Sequence, residues 1–187
     1  MRTAWNAALL ALALGACGAP SQNAAAPSAA AAADCNRSAH VIVPFTAADA
    51  QDIVEARAIG DDCKNAFVLM TVRKATGEPL WAWATPHPWL HGDDSGAITQ
   101  AAMDDFLKGW AKVHVDTTAS LPDWPERTTF KDDLGPYMHT PLQRDQYVDV
   151  RNKALPRLCH AIGLESGLCI YYDASSGVAF EVFQSGV

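Results

Sequence analysis

Imidazole and carboxylate side chains are concentrated in one short stretch of the chain, residues 86–94. These are ligand types that zinc and other transition metals prefer. Two prolines and a glycine disfavour a helix there, so helical spacing does not place His87 and His91 on one face. His114 could contribute a third imidazole from elsewhere in the fold. One hypothesis is therefore a metal-dependent hydrolase that uses the His87, His91 and Asp93 loop together with His114, and the other is a solvated loop.

Tryptophan is the second residue type here that could bind a ligand. Aromatic surfaces bind sugars, peptides and apolar molecules. Trp81, Trp83 and Trp110 fall on predicted core faces, which assigns them to packing. Trp89 and Trp124 lie in proline-rich segments among polar neighbours. We therefore take Trp89 and Trp124 as the candidate binding surface.

Familiar catalytic motifs are not matched. Two serine-containing segments, 92–96 and 163–167, miss the G-x-S-x-G elbow of serine hydrolases by one residue. A Cys-His nucleophile would need a free thiol, and Cys159 directly before His160 does not provide the geometry. The sequence contains no glycine-rich phosphate loop. We expect no catalytic residue outside the hydrolase hypothesis, and no cofactor.

Cys17 is the cysteine with the most specific surroundings. It ends an apolar run that follows Arg2, a pattern typical of secretory signal peptides, and the run is too short to span a bilayer. Leu14-Gly15-Ala16-Cys17 resembles the lipobox of bacterial lipoproteins. The resemblance implies removal of residues 1–16, a diacylglyceryl thioether on Cys17 and acylation of the new amino terminus.

The residues after Cys17 indicate which membrane holds the protein and how the folded domain is connected to the lipid. In enterobacterial lipoproteins an aspartate directly after the cysteine favours retention in the inner membrane. Gly18 stands at that position, which implies, by the same resemblance, the outer membrane facing the periplasm of a Gram-negative cell. Residues 17–34 are rich in alanine, proline and serine and contain no large apolar residue, a composition typical of a disordered tether.

The folded part is expected at 35–187, a size that suits one domain. The formal net charge of -7 disfavours nucleic acid as a partner, because phosphate binding requires clustered lysine and arginine. Apart from the lipobox cysteine, the even number of remaining cysteines predicts disulfides in an exported protein. Among their possible pairings we favour Cys35–Cys63 and Cys159–Cys169, since each closes a local loop.

Alternating apolar residues predict the strands of the N-terminal half. Four such runs occur, at 38–45, 52–60, 65–74 and 80–84. The third run is apolar on both faces in its first half, which predicts a central strand. A turn at Thr76-Gly77 would place Val72 opposite Trp81 and Met70 opposite Trp83.

One main helix is predicted over 99–114, with a threonine cap and apolar residues at three- and four-residue steps. Gly109 inside it costs about 1 kcal/mol relative to alanine, and close packing on the sheet would explain its presence. A short helix over 142–155 and a final hairpin from 168–172 and 178–183 follow. This order predicts an α+β fold, a single domain with a mostly antiparallel sheet and one main helix packed on it.

The last hairpin carries a further family resemblance. Ser176-Gly177-Val178-Ala179-Phe180 is similar to the serine-glycine loop of periplasmic lysozyme inhibitors, which are small lipid-anchored, disulfide-bonded proteins of mainly β structure. Those inhibitors have no central helix of the length predicted here. A Ser-Gly turn is also common for conformational reasons alone.

The tether, the predicted disulfides and the absence of a catalytic motif favour a lipid-anchored periplasmic lipoprotein. We expect a non-enzymatic binding or structural accessory domain of the cell envelope. Its partners would be the membrane, through lipidated Cys17, and another envelope protein or polymer. The alternative is the metal-dependent hydrolase described above.

Overall fold

The computed structural model describes residues 34–91, 97–125, 133–135 and 137–186. The predicted leader, Cys17 and the tether up to residue 33 lie outside the described residues, and so does Asp93. Ten strands occur in the described part: β1 Arg37–Val43, β2 Asp52–Ile59, β3 Phe67–Arg73, β4 Pro79–Pro86, β5 His114–Thr117, β6 Asp133–Gly135, β7 Met138–His139, β8 Pro156–Ala161, β9 Gly167–Asp173 and β10 Val178–Ser185. The helices there are α1 Pro88–His91, α2 Gln100–Trp110, the 3₁₀ helix Thr118–Ser120 and α3 Arg144–Asn152.

The strands form two antiparallel sheets. Sheet A has the order β1-β2-β3-β4, and sheet B has the order β5-β8-β9-β10-β7-β6. The chain is therefore mostly β, with a few short helices. The predicted antiparallel strands and packed helix are present, but the strands form two sheets and not the single sheet that the sequence suggested. No helix in the described ranges is long and apolar enough to cross a bilayer.

In the middle of β2 in sheet A, buried apolar side chains alternate with more exposed polar ones. Val54, Ala56 and Ala58 of β2 are fully buried. Glu55 and Arg57, which lie between them, are only partly buried. Successive side chains of a strand point to opposite faces, so one face of β2 packs into the core and the other meets solvent.

The β3–β4 hairpin has the predicted register. Val72 pairs with Trp81, and Met70 pairs with Trp83. Gly77 has a φ of +91°, a conformation that glycine adopts without steric cost. The turn and the side-chain pattern therefore specify the same pairing, and the prediction is confirmed.

The two faces of β3 differ. β3 is an inner strand, as predicted, and Val68 and Met70 are fully buried. Phe67, however, points to the outer face and is exposed. The apolar first half of β3 therefore combines one buried face with one exposed apolar face.

α2 packs against sheet A and helps to join the two sheets. Thr99 caps it as predicted, by accepting a hydrogen bond from the N–H of Ala102 at 3.1 Å. Met103 and Leu107 are buried in a core that also contains Val54 of sheet A and Ile170 of sheet B. One hydrophobic core therefore spans both sheets.

Gly109 is not explained by close packing. A Cβ added at this position would meet no described atom within 4 Å, and the residue is exposed. The expectation that Gly109 lets α2 approach the sheet is wrong. Its backbone in α2 has no positive φ either, so nothing in the described part of the chain requires glycine there.

Both predicted disulfides are present. Cys35–Cys63 joins the residues before β1 to the loop after β2. Cys159–Cys169 joins directly opposed residues of β8 and β9. The two cysteines of the first disulfide are 28 residues apart in sequence, and those of the second are 10 residues apart.

Candidate binding surface and histidine cluster

α1 brings Trp89 to the surface directly after β4. The N–H of His87 donates to the carbonyl of Ala66 at 2.9 Å, and the N–H of Leu90 donates to the carbonyl of His87 at 3.0 Å. Leu90 is buried, whereas Trp89 is 71% exposed. The short helix thus buries one apolar side chain and presents the other to solvent.

His87 and His91 lie together on Phe106 of α2. The two imidazole ring centroids are 4.9 Å apart, and they lie 5.0 Å and 4.7 Å from the phenyl ring. A cavity of about 150 Å³ adjoins them and is also lined by Ile98 and Ala102. α1 and α2 therefore form a small apolar pocket that carries two imidazoles.

The two histidines of this pocket have different surroundings. His87 is buried. Its Nδ1 atom has no hydrogen-bond partner among the described residues. Burial, and then the nearby His91, lowers the pKa of His87. His87 is therefore neutral at pH 7, whereas His91 is exposed to solvent.

The structure brings together two of the four residues of the hydrolase hypothesis. His114 lies on β5 and is exposed, and its Nε2 is 4.0 Å from Oδ2 of Asp116. Asp93 lies outside the described residues. Within the described ranges, no group of three His, Cys, Asp or Glu side chains is placed to hold a metal ion. The described residues thus offer His87 and His91 as a pair, without His114.

Phe106 connects the histidine pair to the tryptophans. It stacks on Trp110 with ring centroids 5.8 Å apart, and Trp110 lies 6.1 Å from Trp83. The Nε1–H of Trp110 donates to the carbonyl of Ala161 at 2.9 Å. The predicted packing role of these tryptophans is confirmed, because Trp110 is buried and Trp83 packs against the core.

His160 of β8 is surrounded by tryptophan rings. Its ring centroid lies 4.9 Å from Trp81, 5.6 Å from Trp83 and 6.3 Å from Trp110. Its Nδ1 donates to the carbonyl of Ala161 at 2.9 Å, since a carbonyl only accepts. In the part of the chain that is described, Nε2 has no partner and is buried. Burial lowers the pKa of His160 to about 4.

The two candidate tryptophans have different roles. Trp124 is partly buried and packs its ring against Tyr147 of α3, with centroids 5.5 Å apart. The hydroxyl of Tyr147 donates to the carbonyl of Pro122 at 2.9 Å. Trp124 therefore belongs to a second hydrophobic cluster, and Trp89 is the tryptophan that is presented to solvent.

Trp89 belongs to a group of exposed apolar residues that the sequence did not single out. We call this group the apolar end: Ile59 at 48% exposed, Phe67 at 60%, Trp89 at 71% and Leu164 at 69%. The signal for Ile59 and Phe67 is present in the alternation of β2 and β3, where both occupy outward positions. Leu164 lies in a loop without periodicity, and only the tertiary structure brings it here.

Strand register and loop packing bring the backbone positions of the four residues to the same end of the fold. Ile59 pairs with Phe67, and Phe67 pairs with Pro86, three residues before Trp89. A Cβ built on Gly163 would lie 4.0 Å from the carbonyl oxygen of Trp89. The loop that carries Leu164 therefore lies beside α1.

The chain also enters the fold at this end. The N–H of Cys35 donates to the carbonyl of Gly60, directly after Ile59, at 2.8 Å. Gln100 of α2 donates through Nε2 to the carbonyl of Asp34 at 2.8 Å. The first described residues, Asp34 and Cys35, thus lie beside the apolar end.

The segment similar to lysozyme inhibitors forms a hairpin turn. Gly177 has a φ of +76°, and the hydroxyls of Ser175 and Ser176 donate to Asp173 at 2.8 Å and 3.3 Å. The turn conformation accounts for these residues. The chain matches no protein-family model, no curated protein and no solved structure.

Proposed function

We propose that the chain is a lipid-anchored periplasmic lipoprotein whose folded part is a non-enzymatic binding or structural accessory domain of the cell envelope. The observation that carries this proposal is the pairing of Cys35 with Cys63 and of Cys159 with Cys169. Disulfides form and persist in exported proteins. The pairing leaves Cys17, in the lipobox-like sequence, as the remaining cysteine of the chain, available for lipid attachment.

The proposal assigns a role to each part of the chain. Residues 1–16 form the removed signal peptide, and 17–34 carry the lipid and tether the domain. Residues 35–187 form one α+β domain in which α2 is the main helix. The core shared by α2 and both sheets supports this assignment. Gly18 supports the outer membrane, facing the periplasm.

The binding surface is the apolar end, centred on Trp89. An indole that is 71% exposed offers a large apolar area with one hydrogen-bond donor, a combination common in binding surfaces. The pocket of His87, His91 and Phe106 adjoins the same helix. The partner is a component of the envelope within reach of the anchored domain. Experiments must distinguish three classes of partner: a protein, a polymer and the lipid of the membrane.

The lipid anchor is tested by labelling the full chain in a Gram-negative host with a clickable palmitate analogue. We expect the wild-type protein to be labelled and recovered in the membrane fraction. Cys17→Ser should carry no label and move to the soluble periplasmic fraction. Cys35→Ser is the matched control, because it removes a different cysteine and should keep the label. An unlabelled wild-type protein would overturn the proposal.

The binding role is tested separately with a photo-crosslinking amino acid at position 89 in intact cells. Irradiation should yield a specific adduct, and the same amino acid at position 178, on the exposed start of β10, is the control. Adducts that are equally frequent at both positions would argue against a binding surface at Trp89.

The metal-dependent hydrolase keeps one supporting observation, the 4.9 Å separation of the His87 and His91 rings. Its test is titration of the full chain with zinc, followed in calorimetry and thermal melts. The hydrolase hypothesis requires binding that is lost in a His87→Gln/His91→Gln variant and kept in His40→Gln, where an exposed histidine is changed. A melting temperature that changes with neither zinc nor chelator would rule out the hydrolase hypothesis.

A further inference from the structure

We infer that the apolar end binds the membrane itself: Trp89, Phe67, Leu164 and Ile59 insert into the zwitterionic headgroup region of the bilayer that holds the lipid anchor. This inference rests on the proposed anchoring through Cys17 and names the partner of the proposed binding surface.

The composition of the apolar end suits a lipid interface. Each of its four side chains is about half exposed or more in the described structure, although burying such surface is favourable. Tryptophan is enriched at membrane–water interfaces, where its ring meets the acyl boundary and its N–H meets the headgroups. Trp89 is the most exposed of the four. Large exposed apolar groups of this kind mark interaction sites.

The path of the chain places this end next to the anchor. Asp34 and Cys35 lie beside Gly60, and Gly60 directly follows Ile59. The stretch 18–33 connects this point to Cys17 and spans at most roughly 60 Å even when fully extended. A tether raises the effective concentration of whatever it is attached to. The tether therefore holds lipid close to the side of the domain that carries the exposed apolar residues.

The charges around the apolar end select the kind of lipid. Asp61 and Asp62 follow Gly60, Glu165 follows Leu164, and all three acidic side chains are exposed. The chain as a whole carries a formal net charge of -7. Anionic headgroups would be repelled, so the contact relies on burial of apolar surface. Binding to a zwitterionic bilayer should therefore be insensitive to salt.

The test uses the full lipidated protein reconstituted into phosphatidylcholine vesicles that contain brominated lipid, which quenches nearby indoles. We expect wild-type tryptophan fluorescence to be quenched equally at low and high salt. Trp89→Phe should lose most of the quenching. Trp124→Phe is the matched control, because it removes a tryptophan that packs inside the domain, and it should keep the quenching.

A second variant keeps Trp89 as the reporter. Phe67→Ser/Leu164→Ser changes two exposed side chains and should reduce quenching of Trp89. Val178→Ser/Phe180→Ser, which changes two exposed residues of β10, should not. Circular dichroism of each variant confirms that the sheets are retained. Equal quenching in both double variants would overturn the inference.

Mass analysis of Cys17 in the same sample distinguishes a missing lipid anchor from a missing contact between the apolar end and the bilayer. A protein without lipid at Cys17 overturns both the anchor and the inference. A lipidated protein whose Trp89 is not quenched overturns the inference alone. If the photo-crosslinker at position 89 then yields a specific protein adduct, the surface binds an envelope protein and not the bilayer.

Discussion

The ring of Trp81 on β4 lies 4.9 Å from the ring of His160 on β8, and this contact joins sheet A to sheet B. The imidazole is held by a hydrogen bond from Nδ1 to the Ala161 carbonyl. Only 6% of His160 is exposed. A neutral imidazole suits this surrounding of indole rings, and a charged one would be strongly disfavoured by the loss of water.

Stability should fall in mild acid because of His160. Burial lowers its pKa to about 4 in the folded protein, against about 6.5 in an unfolded chain. The unfolded state therefore binds the proton first as pH drops. The free energy of unfolding should be highest above about pH 6.5 and fall by roughly 3 kcal/mol by pH 4. Urea unfolding across this range measures the slope.

His160→Leu isolates this contribution. It should flatten the decline between about pH 6.5 and 4, although part remains because burial also lowers the pKa of His87. His40→Gln, a change of an exposed histidine on β1, is the control. A pH slope in His160→Leu equal to that of the wild-type protein would contradict the assignment.

The two disulfides should differ in their effect on stability. Loop-closure entropy assigns about 4 kcal/mol to Cys35–Cys63, with its 28-residue separation, and about 3 kcal/mol to Cys159–Cys169, with 10. Double serine variants at each pair, compared by urea unfolding, measure both losses. Cys17→Ser changes a cysteine without opening a disulfide and should leave unfolding unchanged. A larger loss from the second pair would contradict the loop-length argument.

Thr118 should be sensitive to loss of its hydroxyl. Its buried Oγ1 donates to the carbonyl of Val150 at 2.6 Å and accepts from the N–H of Leu155 at 2.9 Å. Thr118→Val keeps the shape but leaves both backbone groups unpaired, which should lower the free energy of unfolding by about 2–4 kcal/mol. Thr118→Ser keeps the hydroxyl and should lose about 1 kcal/mol for the missing methyl group. Similar losses in both variants would point to packing.

Replacing Gly77 or Gly109 by alanine should change the stability of the protein in opposite directions. Gly77→Ala forces an L-residue into a φ of +91° and should destabilise the β3–β4 hairpin by about 1 kcal/mol. Gly109→Ala in α2 meets no described atom within 4 Å and should stabilise the protein by about 1 kcal/mol through helix propensity. Thermal melts of both variants test the pair. Destabilisation by Gly109→Ala would contradict the open space found around this position.

One strand that sequence patterns missed, β5, depends on a distant partner. β5 and β8 pair with each other, with Val115 opposite Leu158, although neither segment shows clear alternation. β5 lies at the edge of sheet B and pairs on one side only, with β8 much later in the chain, whereas β8 also pairs with β9 across a short loop. The hairpin of β9 and β10, whose partners are separated by a short turn, was predicted. The alternation of apolar residues, and not the short pairing distance alone, made β9 and β10 recognisable, because β8 also pairs locally with β9 and was missed.

The sequence by itself determined the β3–β4 register and the span of α2 to within one turn, and it favoured, among the possible pairings, the disulfides that are present. In a hairpin and in a helix, backbone geometry sets the distances between residues that are near in sequence. Only the tertiary structure decided that His87 and His91 share Phe106 without His114, and that Trp89 is exposed while Trp124 packs on Tyr147. These relationships depend on how two sheets and α2 share one core, and no local spacing specifies that arrangement.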